Sequence, residues 1–179
     1  LCSSAPELYP MTFFEQRGRM SAVPGGGWVA DNAVVTGEVE FGEDANVWFG
    51  CVVRGDDAPI RIGARTNIQD LTMIHADPDV PNVIGADVTV GHRCVLHGAK
   101  IEDQCLIGMG AILLGGCTIG AGSIVGAGAV VKENFAVPPR SLVVGIPARV
   151  VREVTQDEYD HLKEHAAGYV HAVEQYRAD

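Results

Sequence analysis

Residues 101–131 read "IEDQCLIGMGAILLGGCTIGAGSIVGAGAVV", and an aliphatic side chain recurs in this stretch at every sixth position. A period of six matches neither the 3.6-residue turn of an α-helix nor the two-residue alternation of a simple strand. It fits a short strand followed by a tight corner, with the aliphatic residue packed inside. The stretch therefore predicts a solenoid in which three short faces close one coil of about eighteen residues.

The same period continues on both sides of this stretch. The recurring aliphatic or aromatic positions are Val29, Val35, Phe41, Val47 and Val53, then Ile62, Ile68 and Ile74, then Ile84, Val90 and Leu96, and finally Val137 and Val143. Glycine often follows directly, and a small residue recurs four places later. We expect an all-β solenoid, a parallel β-helix of hexapeptide repeats, over residues 28–152. Residues 1–27 would form a separate N-terminal segment.

Residues 153–179 carry a different pattern. Thr155 and Glu158 have the spacing of a capping box, which marks the start of a helix. Apolar residues then recur at spacings of three and four, at Tyr159, Leu162, Ala166, Tyr169, Val173 and Tyr176. This pattern predicts a C-terminal amphipathic helix that packs against the solenoid or against a neighbouring subunit.

Composition excludes several classes of function. The net charge of −10 disfavours nucleic acid or an anionic membrane as a partner, because both require a basic face. No apolar run approaches the ~20 residues of a membrane span. The first ten residues, "LCSSAPELYP", lack the basic and apolar regions of a signal peptide, so we expect a cytoplasmic protein.

Four of the five cysteines occupy the small interior position of the repeat: Cys51, Cys94, Cys105 and Cys117. A buried thiol there behaves as a small apolar side chain. No C-x-x-C pair is present, so a zinc ribbon or a redox motif is unsupported.

Two segments interrupt the period: "RGDDAPIR" at 54–61 and "HADPDVPN" at 75–82. Both carry more residues than a hexapeptide needs. Because the coils of a solenoid are constrained and its excursions are not, we expect loops with functional residues at both places.

Counting hexapeptides places three histidines on the coil. His75 and His97 each follow an aliphatic position directly, and three hexapeptides plus the second interruption separate them. They should therefore stack at the same corner of adjacent coils, with Arg54 one coil earlier. His92 falls at another edge, stacked on Asp70, and cannot reach an ion held by the other two within one chain.

His92 is then either unrelated or completes the site on a neighbouring chain. The second interpretation predicts a homotrimer with three metal sites shared between subunits. Three imidazoles with an open fourth position suit a catalytic Zn²⁺, and Fe²⁺ or Co²⁺ would also bind. The alternative is a set of unrelated surface histidines. His161 and His165 form an i,i+4 pair that we expect to be exposed and without function.

Several motifs together resemble the gamma-class carbonic anhydrase family. They span roughly residues 28–152 and are "RGD" at 54–56, "IGARTNIQD" at 62–70, "MIHA" at 73–76, "IGADVTVGHRCVLHG" at 84–98 and "IGMGAILL" at 107–114. The resemblance implies a left-handed parallel β-helix, a homotrimer, and zinc or ferrous iron at the subunit interface. It also implies reversible hydration of CO2 to bicarbonate by hydroxide formed on the metal.

The resemblance also implies a role for each site residue. It makes His75, His92 and His97 the metal ligands. Gln69 would hydrogen-bond the bound water or bicarbonate, and Arg54 and Asp70 would form an ion pair across the interface. Asp56 and Asn67 would support that network, or would instead form turns at corners. Tyr169 matches a helix tyrosine near the metal in some relatives, although its place on the apolar stripe favours core packing.

The chain departs from the family pattern in its acidic loops, and this departure bears on the choice of function. Its archetypal members carry acidic loops with glutamates that relay protons, whereas this chain offers Asp57 in the first interruption and Asp77 and Asp79 in the second. Without such a relay, proton transfer to buffer would limit turnover, so a weakly active structural homologue is one alternative. A metal-dependent thioesterase or other hydrolase is another, because the same metal hydroxide could attack a thioester carbonyl. A hexapeptide acyltransferase is disfavoured, because the histidine that it needs as a base is used as a ligand.

Overall fold

The computed structural model of the chain describes residues 18–177, which form a parallel β-solenoid followed by one helix. In chain order its elements are β1 Met20–Val23, β2 Gly27–Ala30, β3 Val34–Phe41, β4 Asn46–Val47, β5 Val52–Ile62, β6 Asn67–Ile68, β7 Met73–His75, β8 Asn82–Ile84, β9 Thr89–Val90, β10 Val95–His97, β11 Lys100–Ile101, β12 Leu106–Ile107, β13 Ile112–Leu113, β14 Thr118–Ile119, β15 Ile124–Val125, β16 Val130–Val131, β17 Ala136–Val137, β18 Ser141–Val144, β19 Arg149–Glu153 and α1 Gln156–Val173. The predicted β-helix with a C-terminal helix is confirmed.

The aliphatic positions of the repeat stack on one another inside the coil. On one face the parallel register joins Val47 to Ile68, Ile68 to Val90 and Val90 to Ile107. Each of these four side chains is fully buried. Burying one such side chain stabilises the folded state by about 1.5–3 kcal/mol. Because the buried positions are those of the six-residue repeat, the repeat builds the core.

The cysteines complete this core as predicted. Cys51, Cys94, Cys105 and Cys117 are free and buried. Burial raises the pKa of the Cys51 and Cys94 thiols to about 11, and that of the Cys105 and Cys117 thiols to about 12. At neutral pH all four are protonated and act as small apolar side chains. Cys2 lies outside the described residues.

The first interruption is not a loop, which corrects the prediction. Residues 54–61 lie within β5, an eleven-residue strand whose two ends pair with β3, residues 52–55 with 34–37 and residues 60–62 with 39–41. Val52–Arg54 of β5 also pair with β7, and Ile60–Ile62 pair with β8, so the strand runs across two faces of the coil. Residues 56–59 have no register partner in β3, so the extra residues form a bulge at the register shift between Gly37 and Val39. The second interruption is a loop, residues 76–81, as predicted.

Helix α1 begins at the predicted capping box. Glu158 donates its backbone N–H to Thr155 Oγ1 at 3.2 Å, and the Glu158 carboxylate accepts from the Thr155 N–H at 2.9 Å. The helix buries Leu162, Ala166 and Val173 and contacts β4, β6 and β9. It therefore packs on the sheet of its own chain that carries the Asp70 and His92 corner.

Both ends of the solenoid depart from the repeat. At the start, β1 and β2 form an antiparallel hairpin, so the last part of the predicted N-terminal segment is structured, while its first 17 residues lie outside the described part of the chain. At the other end β19 pairs antiparallel with β18. Among residues 18–177, no helix has the length and apolar character that crossing a membrane requires.

Candidate metal centre

His75 and His97 form the first half of the site. They are register partners at the ends of β7 and β10, and the centroids of their rings lie 5.4 Å apart. The His75 side chain is 12% exposed and that of His97 is 36% exposed. The stacking at one corner of adjacent coils is confirmed, and it brings two imidazoles close enough to share one ion.

Arg54 lies beside His75 in register and organises two carboxylates. Its Nη1 donates to Asp56 at 2.7 Å and lies 3.9 Å from Asp57 Oδ2. The hydrogen bond from Arg54 holds the pKa of Asp56 below its usual value. His75 Nε2 lies 3.0 Å from Asp57 Oδ2 and 3.4 Å from Asp56 Oδ1. Within one chain Arg54 therefore pairs with Asp56, and Asp70, its predicted partner across an interface, has a different contact.

That contact is with His92, on the other corner. His92 Nδ1 lies 2.9 Å from Asp70 Oδ2, and both side chains are partly exposed. A carboxylate can only accept, so Asp70 places the imidazole proton on Nδ1 and leaves Nε2 with its lone pair free. A carboxylate on the far nitrogen of an imidazole is the usual outer partner of a metal-binding histidine.

Gln69 and Asn67 form a buried pair beside Asp70. Asn67 donates to Thr89 Oγ1 at 2.9 Å and accepts from Gln69 Nε2 at 3.1 Å. The amide of Gln69 is therefore fixed by a side chain that is itself fully buried. Asn67 lies in β6 and Asp56 in β5, so neither residue forms a corner turn.

Tyr169 packs against the core and also borders the cavity beside His92. Its ring packs edge-on against Trp48, with centroids 5.3 Å apart. It also lines a cavity of about 450 Å³ together with Gln69, His92, Met109 and His165. Burial first, and the nearby Asp70 carboxylate second, raise the pKa of the Tyr169 hydroxyl.

Two further residues belong to the site and carry weak signals in the sequence. His165 is exposed, as predicted, but it lines the cavity that contains His92. Asn82 is fully buried and hydrogen-bonds the backbone of His75. The signal for Asn82 in the sequence is its polar side chain at the last position of the second interruption, where the aliphatic repeat resumes.

The three histidines do not meet within one chain. Among residues 18–177, the one group of three or more His, Cys, Asp or Glu residues whose ligand atoms lie within 4.8 Å of one another is Asp56, Asp57 and His75. His92 lies on the nine-stranded sheet and the other two histidines on the ten-stranded sheet. Imidazole nitrogens oriented by carboxylates suit a zinc-like ion, and a three-imidazole set needs a second copy of the chain.

Comparison with known proteins shows the family to which the chain belongs. The family described as bacterial transferase hexapeptide (six repeats) matches residues 98–133. A carbonic anhydrase of Geobacillus kaustophilus is 39% identical over 165 residues, which cover 92% of this chain and 91% of that protein. An uncharacterized transferase of Bacillus subtilis is 43% identical over 150 residues, covering 84% and 88% of the two chains.

The solved structures give the same fold. The crystal structure of a hexapeptide transferase family protein from Anaplasma phagocytophilum has a TM-score of 0.83 and 32% identity, and the match covers 90% of this chain and 99% of that one. The chain belongs to the gamma-class carbonic anhydrase family of hexapeptide-repeat proteins.

Proposed function

We propose that the protein is a metal-dependent carbonic anhydrase that catalyses the reversible hydration of CO2 to bicarbonate at the interfaces of a homotrimer. The observation that carries this proposal is the division of the histidines between two corners, each with its own carboxylates. His75 lies beside Asp57, and His92 is bound to Asp70. The two half-sites are separate within one chain, and the proposed homotrimer would bring them together between neighbouring chains.

The metal would be held by His75 and His97 of one subunit and by His92 of the next. We propose Zn²⁺, with Fe²⁺ and Co²⁺ as ions that the same nitrogens accept. When bound, such an ion lowers the pKa of a coordinated water toward neutrality and thereby supplies a nucleophile for CO2.

The surrounding residues would orient the reactants. Asp70 keeps the His92 Nε2 lone pair available, and Asn67 holds the Gln69 amide at the edge of the cavity. A fixed amide hydrogen-bonds a small oxygen-rich ligand without the entropic cost of ordering a mobile side chain. Arg54 and Asp56 supply a charged network beside His75 that Asp70 of a neighbouring subunit would extend.

A metal-dependent thioesterase is the second candidate. The specific observation in its favour is the cavity of about 450 Å³ next to His92, which is far larger than CO2 requires. An acyltransferase fits less well, since it needs a histidine as a general base. In the proposed site all three histidines, His75, His92 and His97, act as metal ligands, so none of them is left to act as that base.

The test is stopped-flow CO2 hydration on protein purified without oxygen and reconstituted separately with Zn²⁺, Co²⁺ and Fe²⁺. We expect metal-dependent hydration in the wild type and its loss in His92→Ala. His171→Ala, which removes an exposed helix histidine away from the cavity, is the matched control and should retain activity. A trimer that binds metal without hydrating CO2, but that hydrolyses an acyl thioester, would replace the first candidate with the second.

A further inference from the structure

Asn82 connects the two strands that carry His75 and His97. It is the first residue of β8 and is fully buried. Its Nδ2 donates to the backbone carbonyl of His75 at 2.9 Å, and its Oδ1 accepts from the backbone N–H of Ala99 at 2.9 Å. One amide side chain thus joins the last residue of β7 to Ala99, which lies two residues beyond the end of β10.

This connection lies where the two coils differ. After His75 the chain leaves the coil for the loop at residues 76–81, whereas after His97 it turns at once through Gly98, whose φ is +71°. The loop also packs closely against Gly98, since a Cβ at that position would lie 2.6 Å from Val80 Cγ1. Gly98 donates its backbone N–H to the His75 carbonyl at 3.2 Å, and Asn82 adds two side-chain hydrogen bonds to this link between the coils.

Hydroxyl side chains make similar bridges elsewhere in the solenoid. Ser123 donates to the Pro138 carbonyl at 3.0 Å and accepts from the Ser141 N–H at 3.1 Å. Ser123 is also fully buried, and it lies in a coil that carries none of the proposed ligands. It therefore provides a matched control for the structural part of the effect of Asn82.

We infer that Asn82 is a positioning residue for the metal half-site: its two hydrogen bonds set the separation of the His75 and His97 imidazoles. This inference rests on the proposed metal site. Metal–ligand distances tolerate only about ±0.2 Å, so a small backbone shift at one strand end weakens binding by both imidazoles. Asn82 does not touch the substrate, and it acts through the backbones of His75 and Ala99.

The experiment measures the Co²⁺ dissociation constant and the Co²⁺ absorption spectrum of purified trimers. We expect Asn82→Ala to weaken Co²⁺ binding by about 10- to 100-fold, as is usual for the loss of an outer partner of a ligand, and to change the visible spectrum. Ser123→Ala should lower the urea midpoint of unfolding by about as much as Asn82→Ala does. It should leave the Co²⁺ dissociation constant and the Co²⁺ spectrum unchanged. Equal Co²⁺ affinities in the two variants would overturn the inference.

A second variant covers a failure of Asn82→Ala to fold. Asn82→Asp keeps the size of the side chain and an acceptor for Ala99, but it loses the donor to His75, so we again expect weaker Co²⁺ binding. Wild-type affinity in this variant would overturn the inference. If wild type binds Co²⁺ through its histidines and Asn82→Asp does not, the inference stands even where CO2 hydration is absent. If the wild type hydrates CO2 and Asn82→Asp has unchanged Co²⁺ affinity, only the role of Asn82 is refuted. A wild type that does not bind metal would refute both this role and the proposed metal site.

Discussion

His92 and Asp70 lie one coil apart and share a 2.9 Å contact between Nδ1 and a carboxylate oxygen. Both follow a buried aliphatic residue by two positions, and the register that pairs Ile68 with Val90 brings them together. This contact turns the imidazole so that Nε2 is the nitrogen left for a ligand. The orientation of His92 is therefore set by a contact within its own chain.

Replacing Asp70 with Asn should weaken metal binding about 10- to 100-fold, because a neutral amide no longer fixes the proton on Nδ1 of His92. The measurement is Zn²⁺ affinity by competition with a chromophoric chelator. Asp87→Asn is the matched control, since it breaks a carboxylate contact with Arg65 at a corner that holds no proposed ligand. Equal affinities in the two variants would contradict the role of Asp70.

Mixed trimers should recover metal sites that neither parent has. A His75→Ala/His97→Ala double variant keeps His92, and a His92→Ala variant keeps the other pair. If the site is shared, refolding the two together creates interfaces with all three imidazoles. We expect tight Co²⁺ binding and CO2 hydration in the mixture and in neither parent alone. A mixture as inactive as its parents would argue against a shared site.

Turnover should depend on buffer, because the region around His75 offers few proton acceptors besides Asp57. Raising the imidazole concentration should increase kcat with little effect on kcat/KM, since proton transfer follows the chemical step. Asp57→Asn should lower kcat most at low buffer concentration, and Asp44→Asn, at a distant corner, should not. A kcat that is independent of buffer in the wild type would contradict this expectation.

The interior thiols predict how stability depends on pH. Folding raises their pKa from 9.0 to about 11 or 12, so the folded state binds protons that the unfolded state has released. The stabilisation is complete below pH 9 and is lost as pH rises toward the folded values, by up to about 1.4 kcal/mol per pH unit for each thiol. Urea unfolding between pH 7 and pH 10.5 measures this decline.

A Cys105→Ala variant should show a shallower decline with pH than the wild type, whatever its absolute stability. In parallel, a thiol reagent at pH 8 should leave the four interior cysteines of the folded protein unmodified and react with them in urea. A Cys2→Ser background removes the thiol that lies outside the described residues. Rapid modification of the folded Cys2→Ser protein would contradict the burial of the four thiols.

The period of six determined most of the coil from the sequence alone. Each coil repeats the same buried position, so counting hexapeptides places His97 over His75 and His92 over Asp70 without knowledge of any other contact. The cysteines were assigned to the core for the same reason. A repeat makes long-range neighbours calculable, because a fixed number of residues separates one coil from the next.

Only the tertiary structure decided the features that interrupt the period. Residues 52–55 and 60–62 pair with β3 on either side of a bulge at residues 56–59, and a loop would have matched the sequence equally well. The position of Tyr169 between Trp48 and the cavity follows from the sheet that the helix covers. The link from Asn82 to His75 and Ala99 spans a loop whose path no period describes. Such contacts depend on where separate segments meet in space, and the repeat determines that only for its own coils.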